Sequence, residues 1–136
     1  MSVINMIMSA VALIIGGAMY VLFRENTYVA EAINSVCDID WMRSLLSCFK
    51  SDFAMYYLPD FLWAFSMCTG LLSIFSVTKI RLIIIAFVTV LAGALWEALQ
   101  YADIVRGTGD VIDILLYLAA SIIAVVINYY FIRRTK

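Results

Sequence analysis

The chain has 136 residues, of which 65% are hydrophobic and only 14% are charged. With one proline and a mean hydropathy of +1.02 it is too apolar for a soluble domain of this size, so the composition predicts one small integral membrane domain. Nine lysines and arginines balance ten acidic residues, and no basic stripe could neutralise phosphates. This charge pattern argues against a nucleic acid as partner and leaves membrane lipids as the first expected one.

Four segments are long and apolar enough to cross a bilayer. A spanning helix needs about 20 residues, because the hydrocarbon layer is about 30 Å thick and a helix rises about 1.5 Å per residue. The segments run from Val3 to Phe23, Phe53 to Val77, Arg81 to Tyr101 and Val111 to Ile132. The last two connections are short and make the helices they join antiparallel neighbours. The sequence therefore predicts an all-α, four-helix membrane bundle in a single domain.

The first predicted helix contains the pair Gly16-Gly17. Small residues in membrane helices allow a neighbouring helix to approach closely, and we expect that role here. A cleaved signal peptide is the alternative interpretation. It is disfavoured because no lysine or arginine precedes the apolar run, and because the run exceeds the usual length of about 7–15 residues.

The positions of lysine and arginine predict an orientation. Four crossings place both termini on one side, which carries five basic residues and no acidic one: Lys79, Arg81, Arg133, Arg134 and Lys136. The positive-inside rule makes that side cytoplasmic. All ten acidic residues then lie on the opposite side or in the outward half of a helix. Residues 24–52 become an amphipathic exoplasmic loop, and the acidic residues face outward.

The three cysteines have different expected roles. Cys37 and Cys48 lie in the predicted exoplasmic loop, where an oxidising compartment would allow them to form a disulfide. The alternative is that both are small hydrophobic residues on amphipathic turns at the membrane interface. Cys68 lies inside the second predicted helix and is expected to pack there.

The chain has no histidine, which limits its chemistry. A Ser-His-Asp or Cys-His arrangement and a histidine-based zinc site are excluded. Carboxylates, an amide, tyrosines and an arginine remain, and they concentrate where the third predicted helix ends and the fourth begins. Charged groups in hydrocarbon each cost about 2.5–3.5 kcal/mol on insertion scales, so several together indicate a built site.

Glu97 is the carboxylate that most needs an explanation. Residues three or four apart share a helix face, so Glu97, Gln100 and Tyr101 are expected on one side of the third helix. Glu97 lies too deep among apolar neighbours to reach water. It is therefore protonated, paired with Arg106 or Arg24, or bound to a cation.

The fourth predicted helix carries a second polar face, with Asp110, Asp113 and Tyr117. The connection between the third and fourth helices is about ten residues, so the two polar faces can meet near the outer surface. Asp60 enters the same layer from the second helix. Several carboxylates at low dielectric suit a shared proton or a bound Mg²⁺ or Ca²⁺, so the cofactor stays open, with a divalent cation as one hypothesis.

Some of these residues have a purely structural alternative. Asp110 or Thr108 could cap the fourth helix, Asp113 could serve the same helix start, and Asp60 could cap the second helix, since acidic residues favour the positive end of a helix dipole. Arg106 could form an exposed ion pair. Against these alternatives we assign hypothetical catalytic roles to Glu97 and Asp113, and ligand-binding roles to Asp60, Gln100, Arg106, Asp110 and Tyr117.

The motif Glu97-Ala98-Leu99-Gln100, then Arg106, then Gly109-Asp110-Val111-Ile112-Asp113 resembles the core of the VanZ-like membrane proteins. The stretch Leu58-Pro59-Asp60-Phe61-Leu62 is similar to that family's aspartate-bearing helix, and the resemblance covers roughly residues 55–130. The chain departs from the family pattern at two places. Trp63 and Ala64 stand where a histidine is common, and Tyr117 stands where an asparagine is common.

The resemblance implies a multi-pass protein of a bacterial or archaeal cell membrane, linked to lowered susceptibility to the glycopeptide teicoplanin. Three function classes follow. The chain is an envelope protein that binds or modifies a lipid-linked or amphiphilic molecule, such as an envelope precursor or a lipoglycopeptide. Alternatively, it is a small intramembrane enzyme with Glu97 and Asp113 as acid and base, or a structural subunit of a membrane complex. The sequence does not predict an oligomeric state.

Overall fold

The structure is a computed structural model that describes residues 2–23, 33, 41, 44, 56–75, 77–105 and 109–134, with only the backbone at 131–134. The described residues form four helices: α1 (Ser2–Phe23), α2 (Leu58–Ile74), α3 (Lys79–Tyr101) and α4 (Val111–Arg134). The prediction of an all-α, four-helix protein is confirmed.

Three of the four helices are long and apolar enough to cross a membrane: Ser2–Phe23, Lys79–Tyr101 and Val111–Tyr130. Large apolar side chains cover their outer surfaces, as at Ile14 and Ile83, which are 69% and 65% exposed. A surface of this kind fits lipid better than water. The fold is therefore that of a membrane protein. α2 has 17 residues and falls short of the length of a full span.

α2 is shorter than the second predicted span, Phe53 to Val77. It begins at Leu58. Tyr57 is the N-cap residue, with no capping hydrogen bond from its side chain, and Pro59 follows in the first turn, where its missing N–H costs nothing. At the other end the backbone turns extended at Phe75, with ψ of 141°. The predicted span ended at Val77, two residues beyond this point, so hydropathy alone overestimated the helix.

The other boundaries agree with the prediction within two residues. α3 begins two residues before the predicted start because the Thr78 side chain accepts a hydrogen bond from the Arg81 N–H at 3.4 Å and caps the helix. α4 continues to Arg134, two residues past the predicted end. The predicted exoplasmic loop lies outside the described residues except at three single positions, and so does the predicted pair Cys37 and Cys48.

The C-terminal end of α3 closes with a Schellman motif. The Ile104 N–H donates to the Leu99 carbonyl and the Asp103 N–H to the Gln100 carbonyl, both at 3.0 Å. This motif needs one residue in the left-handed backbone conformation, and Asp103 adopts it with φ of 55°. Glycine is the usual residue there because a side chain is strained in that conformation.

α2 lies at the centre of the bundle, where it packs against α1, α3 and α4, while α3 packs against α4. One apolar cluster joins α2, α3 and α4 through Cys68, Leu72, Leu82, Ile85 and Ala124. A smaller cluster lies nearer the starts of α2 and α4. Cys68 is a buried free thiol, which confirms its expected packing role.

α1 is attached to α2 by a close contact and by hydroxyl groups. A Cβ on Gly16 would lie 3.1 Å from the Leu62 Cβ, so this glycine allows the predicted close approach, whereas a Cβ on Gly17 would have nothing within 4 Å. The prediction is confirmed for Gly16 and wrong for Gly17, which faces away from α2. The Ser9 hydroxyl donates to the Ser66 carbonyl at 2.8 Å, and the Ser66 hydroxyl donates to the Ser9 carbonyl at 2.9 Å.

A buried amide pair joins α1 to α4 near the start of α1. The Asn5 Nδ2 donates to the Asn128 Oδ1 at 2.8 Å and to the Leu72 carbonyl at 3.4 Å. The Asn128 Nδ2 donates to the carbonyl of Ala124, one turn back, at 2.9 Å. Sequence reasoning did not assign either asparagine, although an asparagine within a long apolar run is a signal for such a pair.

Candidate functional site

Glu97 lies one turn before the end of α3 and is only 5% exposed. One carboxylate oxygen accepts a hydrogen bond from the Tyr117 hydroxyl at 2.6 Å, and the other accepts from the backbone N–H of Asp110 at 3.0 Å. Because both oxygens accept from donors, the pattern is that of a carboxylate held by strong hydrogen bonds. Glu97 therefore ties the end of α3 to the first two turns of α4.

Two glycines make this arrangement possible. A Cβ on Gly93 would overlap the Tyr117 ring and lie 2.6 Å from its Cε2, so only glycine leaves space for the ring against α3. A Cβ on Gly109 would lie 2.7 Å from the Glu97 carbonyl oxygen, so the segment before α4 passes directly over α3. Gly93 was missed by the sequence reasoning, although it lies one turn before Glu97 on the same face.

Asp110 has the capping role that was one of its two interpretations. Its Oδ1 accepts a hydrogen bond from the Ile112 N–H at 2.9 Å, and its carbonyl accepts from the Asp113 N–H at 3.2 Å. Its own backbone N–H donates to Glu97. The side chain of Asp110 thus fixes the start of α4 and, with it, the donor that Glu97 requires.

Three carboxylates from three helices lie near enough to the Tyr117 hydroxyl to act on it electrostatically. Asp60 on α2, Glu97 on α3 and Asp113 on α4 all act electrostatically on this group. Asp113 is 8% exposed, and Tyr117 is fully buried beside Trp63, whose ring meets it edge-on at 6.0 Å between centroids. We call Asp60, Glu97, Asp113 and Tyr117 the carboxylate cluster. The expected meeting of polar faces from α2, α3 and α4 is therefore present.

Other predicted members do not join this cluster. Tyr101 was expected on the same side of α3 as Glu97, but it is 85% exposed and does not belong to the buried cluster. It is the last residue of α3, and Gly109 occupies the space beside its N and Cβ atoms. Gln100 is half-buried, and its side chain makes no hydrogen bond within the described part of the chain. Arg106 lies outside the described residues.

The described residues contain no group of three acidic or cysteine side chains placed to hold a metal ion. Two of the carboxylates already have partners within the protein. Both Glu97 oxygens accept hydrogen bonds, and the Asp110 side chain caps α4. The cluster can instead accept hydrogen bonds. The Tyr117 hydroxyl donates a hydrogen bond to Glu97, and its oxygen can still accept one from another group. Asp60 is half-buried at the start of α2.

Comparisons of the chain with protein-family models, with curated proteins and with solved structures found no match. The resemblance to the VanZ-like proteins therefore rests on the short motifs around Asp60, Glu97 and Asp113.

Proposed function

We propose that this chain is a VanZ-like protein of a bacterial or archaeal cell envelope, and that its carboxylate cluster binds the polar head of a lipid-linked or amphiphilic molecule. One observation carries the proposal: carboxylates from three helices act electrostatically on one buried tyrosine hydroxyl, and Glu97 accepts its hydrogen bond. Ionisable groups are costly in a membrane protein, and a cluster of them is by default a functional site. Lowered susceptibility to teicoplanin would follow from sequestering or altering such a molecule.

The proposed topology has four crossings, with both termini in the cytoplasm and the cluster facing outward. α2 is included despite its length because it packs centrally against the three longer helices. The five basic residues near the start of α3 and the end of α4 support a cytoplasmic location of that end.

The ligand would be one that donates hydrogen bonds. Acceptors dominate the cluster, so hydroxyl or ammonium groups of a head group suit Asp60 and Asp113, with the Gln100 amide oxygen as a further acceptor. Arg106 would donate to an acceptor oxygen of the same head group. Glu97 acts as a positioning residue, because it holds the Tyr117 hydroxyl and the start of α4. An acyl or prenyl tail would lie along the apolar surface beside Trp63, which is 42% exposed.

A structural subunit is the second candidate, because the bonds of Glu97 join two helices and would serve a purely architectural role equally well. The enzyme hypothesis is weaker for Glu97, since a general base needs an oxygen available to the substrate. Asp113 would then be the acid or base.

The test is teicoplanin susceptibility of a Gram-positive host that expresses the wild type, Glu97→Gln or Asp113→Asn at matched membrane levels. Asp103→Asn is the matched control, because it removes an exposed carboxylate near the same end of the bundle, and asparagine tolerates the left-handed conformation.

Protection by the wild type and Asp103→Asn, but not by the two cluster variants, is the expected result. Loss of folded protein in both cluster variants would favour the structural subunit. Equal protection by all four proteins would refute a role of the cluster in resistance, and protection by none would refute the envelope function.

A further inference from the structure

Ser121 on α4 carries a buried hydroxyl that makes no hydrogen bond within the described part of the chain. The residue is only 1% exposed. The fully buried threonines, Thr69 and Thr89, instead donate to backbone carbonyls one turn back, at 2.8 and 3.0 Å. Ser121 has the Tyr117 carbonyl in the equivalent position and does not use it, so its hydroxyl points away from its own helix. A buried polar group of this kind indicates a partner from outside the chain.

Polar side chains of two neighbouring helices lie at the level of Ser121. The Tyr117 ring fixes the register of the three helices, because it packs against Gly93 on α3 and shares a core cluster with Ala64 on α2. α3 is antiparallel to α4, since its end meets the start of α4 through Glu97. One helical turn further into the bundle, the corresponding residues on α4, α3 and α2 are Ser121, Thr89 and Cys68.

These three residues form one layer at the centre of the protein, which we call the central polar layer. Thr89 and Cys68 are fully buried, as Ser121 is. The Thr89 hydroxyl lies within hydrogen-bonding reach of the Cys68 thiol, so both side chains point into the same space. Thr89 is also the eleventh of the 23 residues of α3. The layer therefore lies halfway along the helix, about two turns from Glu97.

We propose that the central polar layer binds one water molecule, which joins α2, α3 and α4 in the middle of the bundle. Ser121 lies at the level of Thr89 and Cys68 and yet bonds directly to neither, and polar groups beyond direct reach are commonly bridged by water. The water accepts from the Ser121 hydroxyl. It donates to the Cys68 sulfur and to the Thr89 oxygen, whose own proton goes to the Ile85 carbonyl. About three hydrogen bonds are usual for a buried water.

Nuclear magnetic resonance of the full chain in deuterated detergent micelles, with labelled threonine methyl groups, measures the transfer of magnetisation from water to each methyl group. We expect a cross peak between water and the Thr89 methyl group. Thr69 is the internal control, because it is equally buried and its hydroxyl already donates to a backbone carbonyl, so its methyl group should show none. Ser121→Ala should abolish the Thr89 cross peak, although Thr89 keeps its own exchangeable proton.

The stability of Ser121→Ala gives an independent readout. Removal of a hydroxyl that has no partner would raise the midpoint of unfolding by SDS in mixed micelles, because a costly buried polar group is lost. Removal of a hydroxyl that binds water should lower this midpoint, and that is the result we expect.

Three results would overturn the proposal: equal cross peaks or none at Thr69 and Thr89, a Thr89 cross peak that persists in Ser121→Ala, and an SDS midpoint that rises or does not move. If Ser121→Ala does not fold, the comparison of the two threonines in the wild type decides alone. The proposal does not depend on the function of the carboxylate cluster, because none of its three residues belongs to that cluster.

Discussion

Gly93→Ala is the substitution that most directly tests the packing of the carboxylate cluster. The added methyl group would overlap the ring of Tyr117, and this ring cannot retreat easily, because it is buried between α2 and α3. Overpacking of this kind costs about 1–3 kcal/mol. A displaced ring also gives up the 2.6 Å hydrogen bond to Glu97, worth about 1–2 kcal/mol between membrane helices. The expected loss is therefore about 2–5 kcal/mol.

Gly17→Ala is the matched control, since its added methyl group meets nothing within 4 Å in a helix of similar length. It should leave stability unchanged or raise it by up to about 1 kcal/mol, because alanine is the better helix former. The assay is titration of each variant with SDS in mixed micelles, followed by the fraction of folded protein. A loss below about 1 kcal/mol for Gly93→Ala, or losses of equal size in the two variants, would refute the packing described for Tyr117.

Asp103→Gly should stabilise the protein by about 1 kcal/mol, because glycine takes φ of 55° without strain; an unchanged SDS midpoint would contradict the Schellman assignment. In a double-mutant cycle, Tyr117→Phe and Glu97→Gln should show a coupling energy of about 0.6–1.7 kcal/mol, and additive losses would show that the two groups do not interact. Asn5→Leu should lower the free energy of unfolding by about 1 kcal/mol, because it leaves the Asn128 oxygen without its donor, and no loss would argue against this buried amide pair.

Much of the fold could be predicted from hydropathy, since a membrane helix must satisfy its backbone internally and be apolar outside. The boundaries of α1, α3 and α4 were accordingly placed within two residues. α2 was predicted too long because its limits depend on Pro59 in the first turn and on the extended backbone at Phe75, and hydropathy reports neither. Helix limits here depend on backbone geometry that composition does not report.

The site was predictable in outline and not in its contacts. Helical spacing brought Glu97, Asp113 and Tyr117 to the same layer, and the structure agrees. Which side chains form hydrogen bonds depends on the space that glycines leave. The hydrogen bond between Glu97 and Tyr117 could not be predicted without knowing that Gly93 makes room for the Tyr117 ring. Helical spacing gives the side of a helix and not the depth of burial, so it did not show that Tyr101, the last residue of α3, is exposed while Glu97, one turn earlier, is buried.

The length of α2 has a consequence for the lipid around the protein. Its 17 residues rise about 25 Å, whereas its neighbours are long enough for a hydrocarbon layer of about 30 Å. Because α2 packs against all three longer helices, a hydrocarbon layer that matches them is about 5 Å thicker than α2 is long. Bilayers of shorter acyl chains would reduce this hydrophobic mismatch, so we expect the stability of the bundle to depend on membrane thickness.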